Sequence, residues 1–181
     1  MKKTLTHSLA AIAAIFVLQT SVSAHAFFIE PYVGVGFLGD AESGSSSDKS
    51  SHTALGLRAG TSILGLAFAG LDASMMKSKV DTSTDPEFDR TTLGVVAGVD
   101  LPLVRAWVGY NLKDDWKGDN VSYDLEGKST KVGVGLGMLP FIEINLEYLM
   151  FTADDIVTSS ITQSSDFKDN SVILSVSLPL P

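Results

Sequence analysis

After residue 26 the chain is a series of eight segments in which apolar and polar residues alternate. The segments are 27–38, 52–62, 66–77, 91–101, 103–113, 128–137, 141–152 and 167–180. An alternation with a period of two is the pattern of a β-strand whose two faces meet different surroundings. Each segment has about the 9–11 residues that a tilted strand needs to cross a bilayer. The pattern therefore predicts eight membrane-spanning strands.

The connections between these segments alternate in length. Those at 63–65, at Pro102 and at 138–140 are tight, whereas 39–51, 78–90, 114–127 and 153–166 are long and rich in Ser, Asp and Gly. Short turns at one end and longer loops at the other are typical of a transmembrane β-barrel. We therefore predict an all-β fold, a closed up-and-down antiparallel barrel of eight transmembrane strands.

The two faces of each predicted strand differ sharply in polarity. In segment 141–152, for example, Ile142, Ile144 and Leu146 share one face, and Glu143 and Glu147 share the other. Such a continuous apolar face is expected to meet lipid, with the polar face lining the interior. The alternative is a soluble, lipocalin-like barrel with its apolar face inward. That barrel would expose most of its Val, Ile and Leu to water and bury its charges.

The inward register holds eight charged residues and eleven glycines. The charged residues are Glu30, Arg58, Asp72, Asp100, Arg105, Lys131, Glu143 and Glu147. The interior of an eight-stranded barrel is only wide enough for side chains to fill, and unpaired charges there are costly. We therefore predict a lumen ion-pair network that closes the barrel, with Arg105 contacting Glu30, Asp100 or Glu143. A narrow or gated pore is the alternative, because the glycines leave room for water.

Two places resist this pattern. Leu66 and Phe68 fall on the inward face, and a β-bulge at Gly70 is predicted to correct the phase. The last segment ends in Ser-Leu-Pro-Leu-Pro, so strand pairing is expected to stop near Leu178.

The N-terminus has the features of an export signal. Lys2 and Lys3 precede an apolar run at 9–18, which is followed by the Ala24-His25-Ala26 cleavage site. The run is short for a retained membrane anchor, which is the alternative. We therefore predict a signal peptide at 1–26 and a barrel domain at 27–181. The sequence has no cysteine, which excludes a lipoprotein, disulfides and thiol chemistry.

The remaining composition narrows the possible partners. After residue 26 there are 11 basic and 21 acidic residues, an excess that disfavours nucleic-acid binding. Sixteen of the acids lie in the predicted loops or at their edges, and we expect them to be solvated, Asp114, Asp115, Asp154 and Asp155 included. Diffuse divalent cations are expected at these loops, because acidic loops and an anionic lipid surface repel each other unless cations lie between them.

Candidate chemistry is sparse. His52 is the single histidine after the predicted cleavage site, and we expect it to be a solvated residue of the rim rather than a catalytic base. The stretch 81–89 has acidic residues at alternate positions, as a calcium loop does. It has Pro86 where an EF-hand needs glycine, and Thr92 where that motif needs glutamate. We therefore predict no catalytic residue, no cofactor and no specific metal site.

The arrangement resembles the small eight-stranded outer-membrane barrels typified by the OmpA transmembrane domain and OmpX. The resemblance rests on segments such as 32–36, 108–110 and 132–136, and it covers the whole predicted domain. The sequence departs from the family in ending Leu180-Pro181 instead of in an aromatic residue, and we expect no peptidoglycan-binding domain and no cell-wall tethering. The resemblance implies a monomer in the cell outer membrane of a Gram-negative bacterium, with both termini periplasmic and with outer-membrane lipid and lipopolysaccharide as neighbours.

The expected function is non-enzymatic, a structural or surface-interaction role carried by the acidic loops. One alternative is a narrow or gated pore for small solutes. The other is a lipid-modifying enzyme, because some barrels of this size modify lipid A with a histidine and a serine or acid partner.

Overall fold

The computed structural model describes residues 25–44, 46–139, 141–158 and 160–180. The predicted signal peptide lies almost entirely outside these residues and stays a prediction. The described residues form nine strands: β1 (His25–Ser43), β2 (Ser46–Ile63), β3 (Ala67–Asp81), β4 (Glu87–Asp100), β5 (Val104–Gly118), β6 (Tyr123–Leu139), β7 (Ile142–Thr158), β8 (Thr162–Ser164) and β9 (Lys168–Ser177). In this part of the chain no helix is long and apolar enough to cross a membrane.

Eight of the nine strands close into a ring. Each of the strands β1 to β6 pairs with the strand that follows it in the chain. Strand β9 pairs with both β7 and β1, which closes the ring. All these pairings are antiparallel, and the three-residue β8 pairs with β7. The predicted closed, up-and-down barrel of eight antiparallel strands is therefore confirmed, with β9 as its eighth strand.

The two ends of the barrel differ. We call the end with the connections 64–66, 101–103 and 140–141 the turn end, and the opposite end the hairpin end. The long loops predicted at the hairpin end are wrong, since most of their residues continue the strands. Strands β1 and β2, for instance, stay paired out to Ser43 and Ser46. Polar segments can pair in this way because each strand gives its neighbour's backbone groups hydrogen-bond partners.

Register shifts near the hairpin end change which residues face inward. One lies between Gly36 and Gly39 of β1, where Leu38 has a φ of 53°, and another lies between Asn111 and Asp114 of β5. A third separates Glu126 from Gly127 in the pairing of β6 with β7. An extra residue on one strand reverses the alternation beyond it. The shift in β5 turns the side chain of Asp114 into the lumen, where it is buried.

The predicted bulge at Gly70 is wrong. Strand β3 keeps a regular register with both neighbours, and Phe68 does face inward, where it is buried. Its ring packs edge-on against Phe28 at a centroid distance of 5.7 Å. Space for the ring exists at Gly98, where an added Cβ would lie 2.7 Å from Phe68 Cε1. A large side chain therefore fits the narrow interior beside a glycine.

The end of the chain also stays paired longer than predicted. Leu178 N donates a hydrogen bond to Pro31 O, and Leu180 exchanges two backbone hydrogen bonds of 2.9 Å with Ile29. The expected stop near Leu178 is therefore two residues too early. Proline is tolerated at 179 because its neighbours provide the donors that the pairing needs.

The two faces of the barrel wall are as the sequence predicts. Large apolar residues such as Val108, Val134 and Leu146 are exposed on the outside, whereas Arg58 and Glu147 are buried in the lumen. A soluble barrel would have the reverse arrangement, because an exposed apolar surface of this extent is unstable in water. The outer surface therefore suits the hydrocarbon of a bilayer.

Arginine on this outer face should destabilise the barrel according to its depth. We expect Leu146→Arg to cost about 2–4 kcal/mol near the middle of the bilayer and Thr152→Arg about 0–1 kcal/mol near its edge. Both side chains are exposed on the outer face of β7. Urea unfolding in lipid vesicles measures both values, and equal costs at the two positions would contradict the assignment of the lipid-facing surface.

Candidate functional site

The lumen near the turn end contains an arginine bound to three carboxylates. Arg105 Nη1 donates to Glu30 Oε2 at 2.6 Å and to Glu143 Oε2 at 3.3 Å, while its Nη2 donates to Asp100 Oδ2 at 2.8 Å. All three contacts proposed for Arg105 from the sequence are therefore present. Asp100 is the most open member, since 31% of its side chain is exposed.

A second arginine binds three carboxylates deeper in the lumen. Arg58 contacts Glu30 at 3.1 Å, Asp72 at 2.9 Å and Glu147 at 2.5 Å. Lys131 Nζ lies 3.0 Å from the same oxygen of Asp72, Oδ2, that Arg58 contacts.

Glu30 joins the two arginine sites. One of its carboxylate oxygens binds Arg58 and the other binds Arg105. All eight residues predicted for the lumen thus form one connected network of five acids and three cations. Sharing of cations lets every carboxylate of the network have a positively charged partner, which offsets the cost of burying it.

Aromatic rings enclose the guanidinium groups. Arg58 Cζ lies 4.6 Å from the ring centroid of Tyr32 and 4.7 Å from that of Trp107, and Arg105 Cζ lies 4.8 Å from that of Phe68. The planar, weakly hydrated guanidinium suits this position better than an ammonium group would. Trp107 can lie against the wall because Gly133 leaves space, as a Cβ there would be 2.3 Å from Trp107 Cε2.

A second ion pair, which the sequence analysis missed, lies near the hairpin end. Arg90 binds Asp114 with two nearly parallel hydrogen bonds, from Nε at 2.7 Å and from Nη2 at 2.6 Å. Trp116 Nε1 and Ser129 Oγ also donate to Asp114, at 3.1 Å and 2.5 Å. The prediction that Asp114 is a solvated loop residue is therefore wrong, and the reason is the register shift in β5.

His52 is buried, so the prediction of a solvated rim histidine is also wrong. Its Nδ1 lies 2.8 Å from Ser78 Oγ, its Nε2 lies 3.1 Å from Asp169 Oδ2, and Ser50 Oγ donates to the same aspartate. Serine hydrolases combine the same three residue types, but their nucleophile must reach a substrate. Only 2% of Ser78 is exposed, so the geometry indicates a buried polar network.

Aromatic side chains cover this polar group on the hairpin side. We call them the aromatic cap: Phe88, Trp116, Tyr123, Phe151 and Phe167. Trp116 stacks on Phe151 at 4.9 Å, and Arg90 Cζ lies 4.6 Å from the Trp116 ring centroid. Three of the five cap residues, Phe88, Trp116 and Tyr123, fall within the segments predicted as loops, which hid their inward orientation. Phe151 and Phe167 lie in the last two predicted strands.

The acidic stretch 81–89 pairs with lysines. Asp85 lies 3.1 Å from Lys79, and Asp89 lies 2.8 Å from Lys77. Among the described residues no group of three or more His, Asp or Glu side chains is placed to hold a metal ion.

A closed eight-stranded barrel with an apolar outer surface and a charged, filled lumen has the fold of a small outer-membrane β-barrel. The chain is similar to Neisserial surface protein A, with 14% identity and a TM-score of 0.59 over 86% of this chain and 99% of that one. It is also similar to Ail, the attachment invasion locus protein of Yersinia pestis, with 12% identity and a TM-score of 0.53 over 85% and 98%. These likenesses confirm the fold that the sequence resemblance implies. No family model and no curated protein matches the sequence.

Removing Arg58, the cation at the centre of the network, should make the barrel less stable. We expect Arg58→Met to lower the free energy of unfolding by about 3–5 kcal/mol, because it leaves buried carboxylates without their partner. The control is Lys113→Met, which removes the exposed pair with Asp115 and should cost about 0–1 kcal/mol. Urea titration in vesicles measures both. If Arg58→Met were as stable as the control, the network would contribute nothing to stability.

Proposed function

We propose that this chain is a non-enzymatic outer-membrane protein with a closed lumen and a structural or surface-interaction role. The observation that carries the proposal is the filling of the lumen at successive levels by the Arg105, Arg58 and Arg90 ion pairs and by the aromatic cap. Neither a solute nor a substrate has an evident path through such an interior. The surfaces free to meet other molecules are the outer wall and the two ends of the barrel.

The proposed orientation places the hairpin end outside the cell and directs the turn end, with both termini, to the periplasmic side of the membrane. It is supported by the lengths of the connections, since outer-membrane barrels have short periplasmic turns and larger extracellular segments. It is also supported by charge, because the exposed acidic residues lie at the hairpin end.

Labelling of intact cells tests location and orientation together. The chain has no cysteine, so Ser122→Cys in the connection between β5 and β6 provides a single thiol. A membrane-impermeant maleimide should label it on intact cells, and a protease added outside should spare an epitope fused after Pro181. The opposite result, an unlabelled thiol with a cleaved epitope, would reverse the orientation.

Outer-membrane lipid and lipopolysaccharide are the proposed partners of the outer wall. On each barrel strand we take the outward charged residue nearest the turn end and call the set the boundary ring: Asp40, Lys49, Lys77, Asp89, Lys113, Lys128, Asp154 and Lys168. Five are lysines and three are aspartates, so this level is net positive although the hairpin end as a whole is acidic. A positive ring at the edge of the lipid-facing surface suits lipid phosphates.

The boundary ring should make the barrel sensitive to lipid phosphate. We expect phosphorylated lipid A in phosphatidylcholine vesicles to raise the urea midpoint of the wild-type barrel. The triple variant Lys77→Gln, Lys113→Gln, Lys128→Gln should lose most of this increase while unfolding like wild type in phosphatidylcholine alone. An undiminished increase in the triple variant would exclude the ring as the phosphate contact.

The hairpin end suits a different partner from that of Ail. One structure of Ail contains the heparin analogue sucrose octasulfate, a polyanion. In this chain the hairpins carry an excess of acid, including Glu42, Glu87 and Asp119. Repulsion disfavours a sulfated sugar here, and divalent cations associated with these acids are proposed instead.

The two alternative functions predicted from the sequence, a pore and a lipid-modifying enzyme, would each need a different observation to support them. A pore would have to open through at least two separate layers of buried ion pairs, and current steps of the wild-type protein in planar bilayers would support it. A lipid-modifying enzyme would need His52 and a serine to meet lipid, whereas both are turned into the lumen. Altered lipid A in cells that produce the chain would support this second alternative.

A further inference from the structure

The turn end of the barrel has an unusual surface, because its connections are apolar. The exposed large apolar residues of these connections are Leu64, Leu66, Leu101, Leu103 and Phe141, and Ile63 at the end of β2 adds to them. Phe27 next to them is the most exposed large apolar side chain of the described residues, at 81%. Turns that face water are normally built from polar residues, and an exposed apolar group of this size marks a contact surface.

Charge is arranged to leave this surface apolar. Asp100, Arg105 and Glu143 are the charged residues nearest the turns among those described, and the two acids bind Arg105 in the lumen. On the outer wall, no charged side chain of the described residues lies between the turns and the boundary ring. The apolar turns are thus continuous with the lipid-facing surface.

The length of the outward apolar runs indicates whether the turns are surrounded by water or by lipid. The outward apolar run of β7 extends from Ile142, directly after a turn, to Met150, and that of β3 extends from Ala67 to Met75. Each run is about the 9–11 residues that a tilted strand needs to span the hydrocarbon. If the boundary ring lies at one edge of the bilayer, the other edge falls at the turns themselves. No length of strand remains to carry the turns into water.

We propose that the turn end is seated in the membrane, with the tips at Leu64, Leu103 and Phe141 inserted among the lipids of the nearer leaflet. The barrel then has no water-exposed collar on this side, and its partner at this surface is the lipid. The inference rests on the proposed membrane location and adds the depth at which the barrel sits.

Spin labels on single cysteines test this depth. The variants are Leu64→Cys and Leu103→Cys at the turns, Ser122→Cys at the hairpin end and Val134→Cys on the outer wall, all in phosphatidylcholine nanodiscs, in which both faces meet water. The ratio of collisions with oxygen to collisions with a water-soluble nickel chelate reports immersion in lipid. We expect the turn labels to resemble Val134, with a ratio severalfold higher than that of Ser122.

The outcomes separate the two proposals. A nickel-accessible label at Val134 would overturn the membrane location and this inference with it. Turn labels that resemble Ser122 while Val134 is immersed would overturn the inference alone, and would leave the turn end free for a water-soluble partner. As a second measurement, Leu64→Asp and Leu103→Asp should lower the urea midpoint in vesicles, whereas Ser122→Asp should not. An unchanged midpoint in both turn variants would also count against the inference.

Discussion

The structure depends on closure of the sheet, because a strand with an unpaired edge cannot lie in hydrocarbon. The pairing of β1 with β9 provides the last set of hydrogen bonds, and it extends past Pro179 to the pair formed by Ile29 and Leu180. Once the ring is closed, each residue of a barrel strand must face either the outside of the wall or a narrow lumen. This division explains why the alternation of apolar and polar residues is so regular.

Closure also creates the problem that the lumen residues solve. The interior of eight strands is narrow, and its polar side chains are removed from water. The chain fills it with guanidinium groups, carboxylates and aromatic rings, and inward glycines such as Gly98 and Gly133 provide space for the rings. Arg58 shows how the parts combine, because it binds three carboxylates while lying between Tyr32 and Trp107.

The basic residues are divided by chemistry between the two sides of the wall. All three arginines of the described residues lie in the lumen, where their planar groups bind several oxygens and stack on rings. Of the eight lysines in the described part of the chain, seven face outward at the hairpin end, and Lys131 is the exception. An ammonium group on a flexible stem suits a hydrated lipid boundary, and a guanidinium suits a packed interior. The division supports the view that the lumen is a stable core and that the outer wall is the surface that meets other molecules.

The sequence by itself determined the strand number, the antiparallel ring and the two faces of the wall, because these follow from a period of two and from the lengths of the connections. It also predicted eight of the charged residues that share the lumen, since charge and glycine mark one register in the strands that hold them. Only the tertiary structure decided the register shifts near Leu38 and Leu112. A bulge is fixed by pairing with the neighbouring strand, and it reverses the faces of every residue beyond it. For this reason Asp114 and Trp116 could not be assigned to the lumen from sequence, whereas Phe88 and Tyr123 keep the inward register of their strands and were hidden because their segments were predicted as loops. His52 keeps the predicted inward register of its strand, but its burial depends on Asp169, Ser78 and Trp116, contributed by three other strands.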